Sequence, residues 1–534
     1  MAASGTPCAR LEEMAKAIEE RWPAQVALQS CTDLEVAEVV CQARDLPAVC
    51  QWLCSQLDFT FATLVVQDED KGWMLRYVFC GAVERSLVSV LVRIPGGENS
   101  VPSIASLVHA ADWHEREAED LFGLVFEGHP KLGDFVLHEE WPEGVNPMLR
   151  GFDGSKPYPH RELDPDWRPS RIVQSPGAFV MPIGPVYSDY AESAHFLLET
   201  VGEDVIRTIP RFYYKYRGVE KIAQGRRVEE VLLLAERFSG TSAFAHSLAF
   251  CQAVERAWGL SVPERARMLR IALCELERFR HHVHAVADIC NSTGLGVATS
   301  QASILEEELL RLSCVVSGHR YLFGLNVPGG LAVDLAPREL ALLENGILEV
   351  LKRFLDLEDM LRFSSSFLDR LEEVGVVSPD DARAYGLVGP VARASGIERD
   401  LRKVLPYSGY ERIELRVPCE AEGDSYARLR VLVREAEQSA HIVGNVLSSL
   451  PQGPVSGPEP TPVVGSALGW VEAPRGATFH WVCLGEKGTV ARYRLSTPSF
   501  TNWHGFHLAA ENFAFQDFPI IMASFGLSNA ESDR

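Results

Sequence analysis

No two of the chain's twelve cysteines stand in a C-x-x-C pair. That absence argues against a structural zinc or an iron–sulfur cluster within the chain, since both need clustered thiolates. Cys251, Cys274, Cys290 and Cys314 fall at apolar positions of helical patterns and read as free, mostly buried thiols, while Cys50 and Cys54 are spaced to share a helix face. Long apolar runs are also missing. None reaches the ~18–20 residues that span a bilayer. The start, with Glu12, Glu13, Glu19 and Glu20, lacks an apolar signal core, so the chain reads as not exported. Basic residues are few: 51 Lys and Arg against 73 Asp and Glu give a net charge of −22 and a pI near 5.2. Nucleic acid and anionic membrane surfaces recruit basic faces, so neither is expected as a general partner. The sequence contains no G-x-G-x-x-G, Walker or G-x-S-x-G word, which leaves nucleotide binding and serine-hydrolase chemistry without support.

What is present suits a large globular protein. The 534 residues, 46% hydrophobic and 23% charged, imply roughly two to four domains. The pattern predicts an α+β protein: a small N-terminal α/β domain over 1–140, a proline-rich connection over 141–177, and a large, mainly helical bundle with β-hairpin elements over 178–534. Helices are expected near 12–20, 102–111 and 112–122, with strands over 59–67, 72–81 and 86–94. Pro142, Pro147, Pro157, Pro159, Pro165, Pro169 and Pro176 disfavour regular elements in the connection. Beyond it, 196–208 alternates like a hairpin. The stretches 242–258, 263–290, 301–321, 337–371 and 428–450 keep helical periodicity, and 478–496 reads as another hairpin.

Residues that could carry chemistry concentrate on the 263–290 helix, where Glu275, Glu277, Arg278, Arg280, His281, His282 and His284 follow one another. Arg278 and His282 share a face at i, i+4, as do Glu277 and His281. A His and carboxylate helix can relay protons or bind a metal, and it can equally form a satisfied polar network.

Short words along the chain sharpen this. The segment 114–123 reads H-E-R-E-A-E-D-L-F-G, 126–130 reads F-E-G-H-P, and 141–144 reads W-P-E-G. These resemble the C-type subunit of NADH-quinone oxidoreductase. The rest resembles the D-type subunit of that enzyme and, more closely, the large subunit of group 4 [NiFe] hydrogenases of the formate hydrogenlyase and hydrogenase-4 type. The words are Y-R-G-V-E-K (216–221), F-A-H-S (244–247), V-P-E-R-A (262–266), E-L-E-R (275–278), A-S-G (394–396), D-L-R-K (400–403), G-D-S-Y (423–426) and V-E-A-P-R-G (471–476). They occur in the family's order, with C-like and D-like parts fused.

In that family four thiolates hold a nickel–iron pair, from R-x-C-G-x-C and D-P-C-x-x-C. Here Ser239, Ser242, Ser528 and Glu531 occupy the corresponding positions. Hydroxyls are hard, protonated ligands, so no nickel–iron centre and no other resident metal is expected in this chain. The resemblance marks Arg237, His246, Glu277, Arg278, His282, Asp400 and Arg402 as residues of the retained cavity. Tyr187, Tyr190 and His195 are its candidates for a quinone side, because the quinone-binding H-G-x-L-R word is absent. The implied role is that of one component of a membrane-associated respiratory-type oxidoreductase complex. A small iron–sulfur subunit that holds the cluster and integral membrane subunits would be its partners, on the cytoplasmic side of the membrane. Two alternatives follow from the same residues: a fused C/D-type component of NADH-quinone oxidoreductase that forms a quinone site, and a non-catalytic scaffold of the peripheral arm.

Overall fold

A computed structural model describes residues 9–31, 34–81, 86–166, 171–174, 176–186 and 192–534. The chain divides into two compact units, one running to residue 168 with Ala384–Gly386, the other holding Pro169–Arg383 and Leu387–Arg534. Helix and strand are mixed in an α+β arrangement, as the pattern predicts.

In the first unit α1 (Ala9–Arg21) precedes β1 (Gln25–Cys31) and β2 (Leu34–Val40); α2 (Leu46–Leu57) leads into β3 (Phe59–Glu69), β4 (Gly72–Gly81) and β5 (Ser86–Pro95). The sheet order is β1-β2-β5-β4-β3, with β2 and β5 parallel and the other pairs antiparallel. Strands β3 to β5 fall where expected. The expected 102–111 helix does not form. Pro102 closes the short strand β6 (Ser100–Pro102), and past α3 (Asp112–Phe122) β7 (Val125–Glu127) pairs with β6 in parallel. The first amides of the supposed helix are used elsewhere: Ser103 N donates to Glu127 O at 2.9 Å and Ile104 N to Glu115 Oε1 at 3.0 Å, leaving a turn in which Leu107 N and Val108 N reach Ile104 O and a tight turn at His109–Ala111.

The H-E-R-E-A-E-D word is therefore a piece of scaffold. Glu115, fully buried, also accepts from Tyr77 OH at 3.1 Å and from Ser103 Oγ. Burial pushes its carboxyl up to about 7, against those three donors. Asp120 accepts the amides of Phe135, Val136 and Leu137 at 3.2, 2.7 and 2.7 Å, pinning the segment after β7. From 128 to 177 the described residues form neither helix nor strand.

In the second unit β8 (Ala178–Ile183), β9 (His195–Val201) and β10 (Asp204–Arg211) form an antiparallel meander that carries the expected hairpin. Two short helices, α4 (Val219–Ala223) and α5 (Val228–Arg237), lead to α6 (Ala243–Trp258), α7 (Glu264–Ser292) and α8 (Gly296–Ser317). A small ribbon, β11 (Asn326–Val327) with β12 (Gly330–Leu331), precedes α9 (Pro337–Arg362). The predicted helix to 371 breaks because Ser364 N turns back to Leu361 O at 3.1 Å, and α10 (Ser365–Leu368) restarts after it. Apolar period alone does not register such a break. After α11 (Pro379–Ala384), α12 (Gly389–Ala394) and α13 (Leu401–Val404) comes α14 (Ser425–Ser448), capped by Asp424, whose side chain accepts from Ala427 N at 2.7 Å.

The chain closes with the antiparallel sheet β13 (Gly465–Ala473), β14 (Gly476–Leu484) and β15 (Val490–Ser496), then α15 (Pro498–Ala509), β16 (Glu511–Ala514), α16 (Phe518–Phe525) and α17 (Asn529–Ser532). Helix α7 is buried almost all round, from Arg265 to Cys290, and α14 and α8 pack along it. Strand β13 lies against α6, and the core between α5, α6, β14 and β15 holds Val231, Phe238, Phe250, Val254, Val482 and Tyr493. Cys251, Cys274 and Cys290 are buried free thiols, whereas Cys314 is exposed.

The close approach of β13 to α6 depends on Gly469. A Cβ there would stand 1.9 Å from Ala249 O and 2.7 Å from Ala253 N, both backbone atoms. Gly469→Ala is expected to destabilise the full chain by about 3 kcal/mol through overpacking. Gly444→Ala, in α14 with open space around its Cβ, is expected to stabilise by ~0.5–1 kcal/mol. Chemical denaturation midpoints of the two variants check both signs.

Candidate functional site

The turn between α5 and α6 places Ser239 in extended backbone and Ser242 at the cap of α6. Both are buried. The α6 amides of Phe244 and Ala245 donate to Glu277 on α7 at 2.8 and 2.9 Å, so a carboxylate faces the positive end of this helix. Burial pushes Glu277 up to about 7 despite those two amides and the nearby Arg280 and Arg278.

Ser528 caps α17: Glu531 N donates to Ser528 Oγ at 3.3 Å, while that oxygen lies 3.0 and 3.1 Å from the Glu192 carboxylate oxygens. The Glu531 carboxylate is fully buried and turns back toward the serine turn. It accepts from Ser239 Oγ at 3.1 Å and Ser499 Oγ at 2.5 Å, and meets Arg475 Nη1 at 3.2 Å. The same guanidinium nitrogen donates to Thr241 Oγ1 at 2.8 Å and lies 3.4 Å from Ser242 Oγ, while Arg475 Nε holds Gly526 O at 2.7 Å. Burial would raise the Glu531 carboxyl; Arg475, His246 and Ser499 outweigh it and bring it down to about 2. Ser239 and Ser242 thus converge on the one Arg475–Glu531 pair. His246, also fully buried, lies with Nε2 3.8 Å from Glu531 Oε1, and its Nδ1 meets His480 Nε2 at 3.1 Å. His480 Nδ1 in turn meets Tyr493 OH at 2.8 Å.

Arg278, His282, Asp400 and Arg402 come together in a second buried cluster, joined by Glu275 of the same helix and by Arg393, Glu435 and Glu472, which the sequence pattern does not single out. Arg402 bridges Asp400 (2.7 Å) and Glu275 (3.0 Å), and Glu275 also accepts from Tyr410 OH and Ser439 Oγ. Arg393 reaches Glu435 at 2.6 Å and Glu472 at 2.9 Å. Arg278 lies 3.3 Å from Glu275 and 3.9 Å from Glu435, and donates Nη1 to Ala473 O at 3.1 Å and Nη2 to Glu472 O. His282 Nε2 meets Glu435 at 3.0 Å. Burial lowers the His282 pKa, only partly offset by Glu435. Every member is almost fully buried.

Arg237 lies apart from both clusters. Its side chain is 57% exposed at the end of α5, paired with Glu236 at 3.3 Å and over the Phe323 ring at 5.4 Å. His195 begins β9, with Nδ1 3.3 Å from Tyr214 OH. Tyr187 and Tyr190 lie outside the described residues. In the sequence Arg475 and Glu472 stand out only as letters of V-E-A-P-R-G, and Glu192, Arg393, Glu435, His480, Tyr493 and Ser499 carry no signal as site residues. Each is brought in by tertiary contact from a distant element.

Arg475→Met leaves Glu531 buried without its cation, and a loss of about 3–5 kcal/mol is expected; Arg475→Met with Glu531→Met recovers most of it. Because the folded carboxyl is depressed, Glu531 stabilises the wild type above its ordinary value of 4.5, and this stabilisation is lost as pH falls toward about 2. In Arg475→Met that acid-side loss moves to higher pH. Denaturation midpoints across pH 2–7 test the shift.

The profile of the 49 kDa subunit of respiratory-chain NADH dehydrogenase matches residues 295–465 and 457–534. That of the 30 kDa subunit matches 39–158, and that of nickel-dependent hydrogenase matches 217–286. Formate hydrogenlyase subunit 5 of Escherichia coli is 29% identical over 97% of this chain and 92% of its own length. Hydrogenase-4 component G of the same organism is 28% identical over 98% and 93%. The fused C/D subunit of NADH-quinone oxidoreductase from Acinetobacter baumannii is 27% identical over 84% and 82%. Among solved structures, a chain of the archaeal membrane-bound sulfane sulfur reductase, a respiratory membrane complex, superposes with a TM-score of 0.64 and 25% identity, over 67% of this chain and 99% of that one. The chain thus joins, in one polypeptide, matches to the 30 kDa and 49 kDa NADH dehydrogenase subunit families, and it is similar over most of its length to formate hydrogenlyase subunit 5, hydrogenase-4 component G and the fused C/D subunit of NADH-quinone oxidoreductase.

Proposed function

We propose that the chain is the fused core subunit in the peripheral arm of a membrane-associated respiratory-type oxidoreductase complex, and that it works without a nickel–iron pair of its own. The observation that carries the second clause is the Arg475–Glu531 pair at 3.2 Å, set among Ser239, Ser242 and Ser499. A nickel–iron pair takes soft thiolates. Hydroxyls and one carboxylate are hard donors, and a guanidinium within hydrogen-bond reach of that carboxylate repels a cation. These residues do not fit the group.

The first clause rests on the relatives, which are named as subunits of hydrogenlyase, hydrogenase-4 and NADH-quinone oxidoreductase, and on the respiratory membrane complex with the matching fold. No described helix is long and apolar enough to cross a membrane, so attachment runs through integral membrane partners. A small iron–sulfur subunit supplies the electron-transfer cluster, and the arm faces the cytoplasm. Quinone is the first electron acceptor to test, with His195 beside Tyr214 as the described candidate.

Purified from its native host, the complex is expected to contain membrane subunits and iron at iron–sulfur levels. Nickel should be far below one per chain, and exchange between dihydrogen and deuterated water should be absent. Stoichiometric nickel with exchange activity would overturn the reading. In the assembled complex, His246→Ala is expected to lower turnover; unchanged turnover would make the chain a scaffold.

A further inference from the structure

The second buried cluster does not balance. Arg278, Arg393 and Arg402 bring three positive charges, and Glu275, Glu435, Asp400 and Glu472 bring four carboxylates, all nearly without solvent exposure. An uncompensated charge in such an interior costs several kcal/mol, and the group takes up a proton instead.

His282 is not the missing cation. Its Nε2 meets Glu435, while its Nδ1 is buried without a hydrogen-bond partner. An imidazolium would bury an Nδ1–H donor with no acceptor; the neutral Nε2–H tautomer leaves only a bare lone pair. The balancing proton therefore belongs on a carboxyl.

The four carboxyls are not equally supported. Asp400 is gripped by Arg402 through Nε and Nη2 at 3.0 and 2.7 Å, with Arg402 N adding a donor at 2.9 Å. Glu275 receives Arg402 on both oxygens, at 3.0 and 3.1 Å, with Arg278 Nε, Tyr410 and Ser439 beside it. Glu435 takes Arg393 Nε at 2.6 Å and His282, with Arg278 near. Glu472, at the end of β13, has only Arg393 Nη1 at 2.9 Å and the neutral amide of Leu401 at 3.0 Å. That nitrogen is shared with Arg399 O at 2.9 Å and Asp400 at 3.6 Å. From α7, Arg278 attracts the Glu472 carboxyl but gives its hydrogen bonds to the Glu472 and Ala473 carbonyls, while Asp400 at the cap of α13 and Glu435 on α14 add like charge.

We propose that the cluster is a proton-binding site, with one proton resident on the Glu472 carboxyl at neutral pH and exchanged when the charge around it changes. The direction of the Glu472 shift agrees: burial and Asp400 raise it against Arg393 and Arg278. The site connects to the candidate centre by a short covalent path. Arg278 holds the carbonyls of Glu472 and Ala473, and two residues further on Arg475 pairs with Glu531. Charge on Glu472 thus acts on the strand end that presents Arg475. None of this depends on whether the complex carries nickel.

The test compares isosteric variants of the full-length chain. Glu472→Gln copies the protonated carboxyl, so its thermal midpoint at neutral pH should match wild type, whereas Glu435→Gln, which removes an ionised partner of Arg393, should lower it. Infrared difference spectra between neutral and alkaline pH should show, beside the bands of the buried Glu115 and Glu277 carboxyls, one further neutral carboxyl band in wild type that is missing from Glu472→Gln. A raised carboxyl binds its proton in the folded state over a pH range where the unfolded chain has lost it. Stability therefore falls as pH rises above the ordinary value of 4.5 toward the folded one, and this slope should flatten in Glu472→Gln. Equal destabilisation by the two Gln variants, or wild-type and Glu472→Gln spectra with the same set of carboxyl bands, would overturn the proposal.

Discussion

Arg278 has no contact with solvent and no freedom to lose a partner. It sits in the middle of α7, donates to two carbonyls at the end of β13, and lies between Glu275 and Glu435. A guanidinium in that position obliges the surrounding elements to supply acceptors. Helix α14 brings Glu435 and Ser439, α13 brings Arg402 and its cap Asp400, and α12 brings Arg393. The packing of four helices and one strand end is thereby specified by charge as well as by apolar burial.

The same logic runs into the candidate centre. Strand end 472–475 carries Glu472 into the charge cluster and Arg475 out to Glu531. Glu531 is then shared with serines from the α5–α6 turn and from α15, and flanked by a histidine pair that ends on Tyr493. A region that in relatives bears a hydrogenase or dehydrogenase name is here organised around hydrogen bonds and ion pairs.

The first unit shows a different use of family words. H-E-R-E-A-E-D places Glu115 and Asp120 on α3, where they satisfy backbone amides of neighbouring loops. A strong signature there marks a hard folding constraint, because those amides would otherwise be buried unpaired. It also explains why 102–111, whose apolar spacing suits a helix, is held as loop.

From the sequence alone came the α+β class, the long helices, both hairpins and the resemblance to the fused subunits. Those follow from local periodicity and from short words, which are properties of neighbouring residues. The sequence also pointed to five residues of the charge cluster: Glu275, Arg278 and His282 lie close together on one helix, and Asp400 and Arg402 stand in the D-L-R-K word. The other three stayed hidden: Arg393, Glu435 and Glu472 are far apart along the chain, and nothing local distinguishes them from surface charges. Arg237 shows the converse, since a residue beside a key turn faces outward once α5 is packed. Which charges meet, and therefore which carboxylate lacks a cation, was decided only by the tertiary structure, because ion pairing in a low-dielectric interior depends on distances between elements that periodicity does not encode.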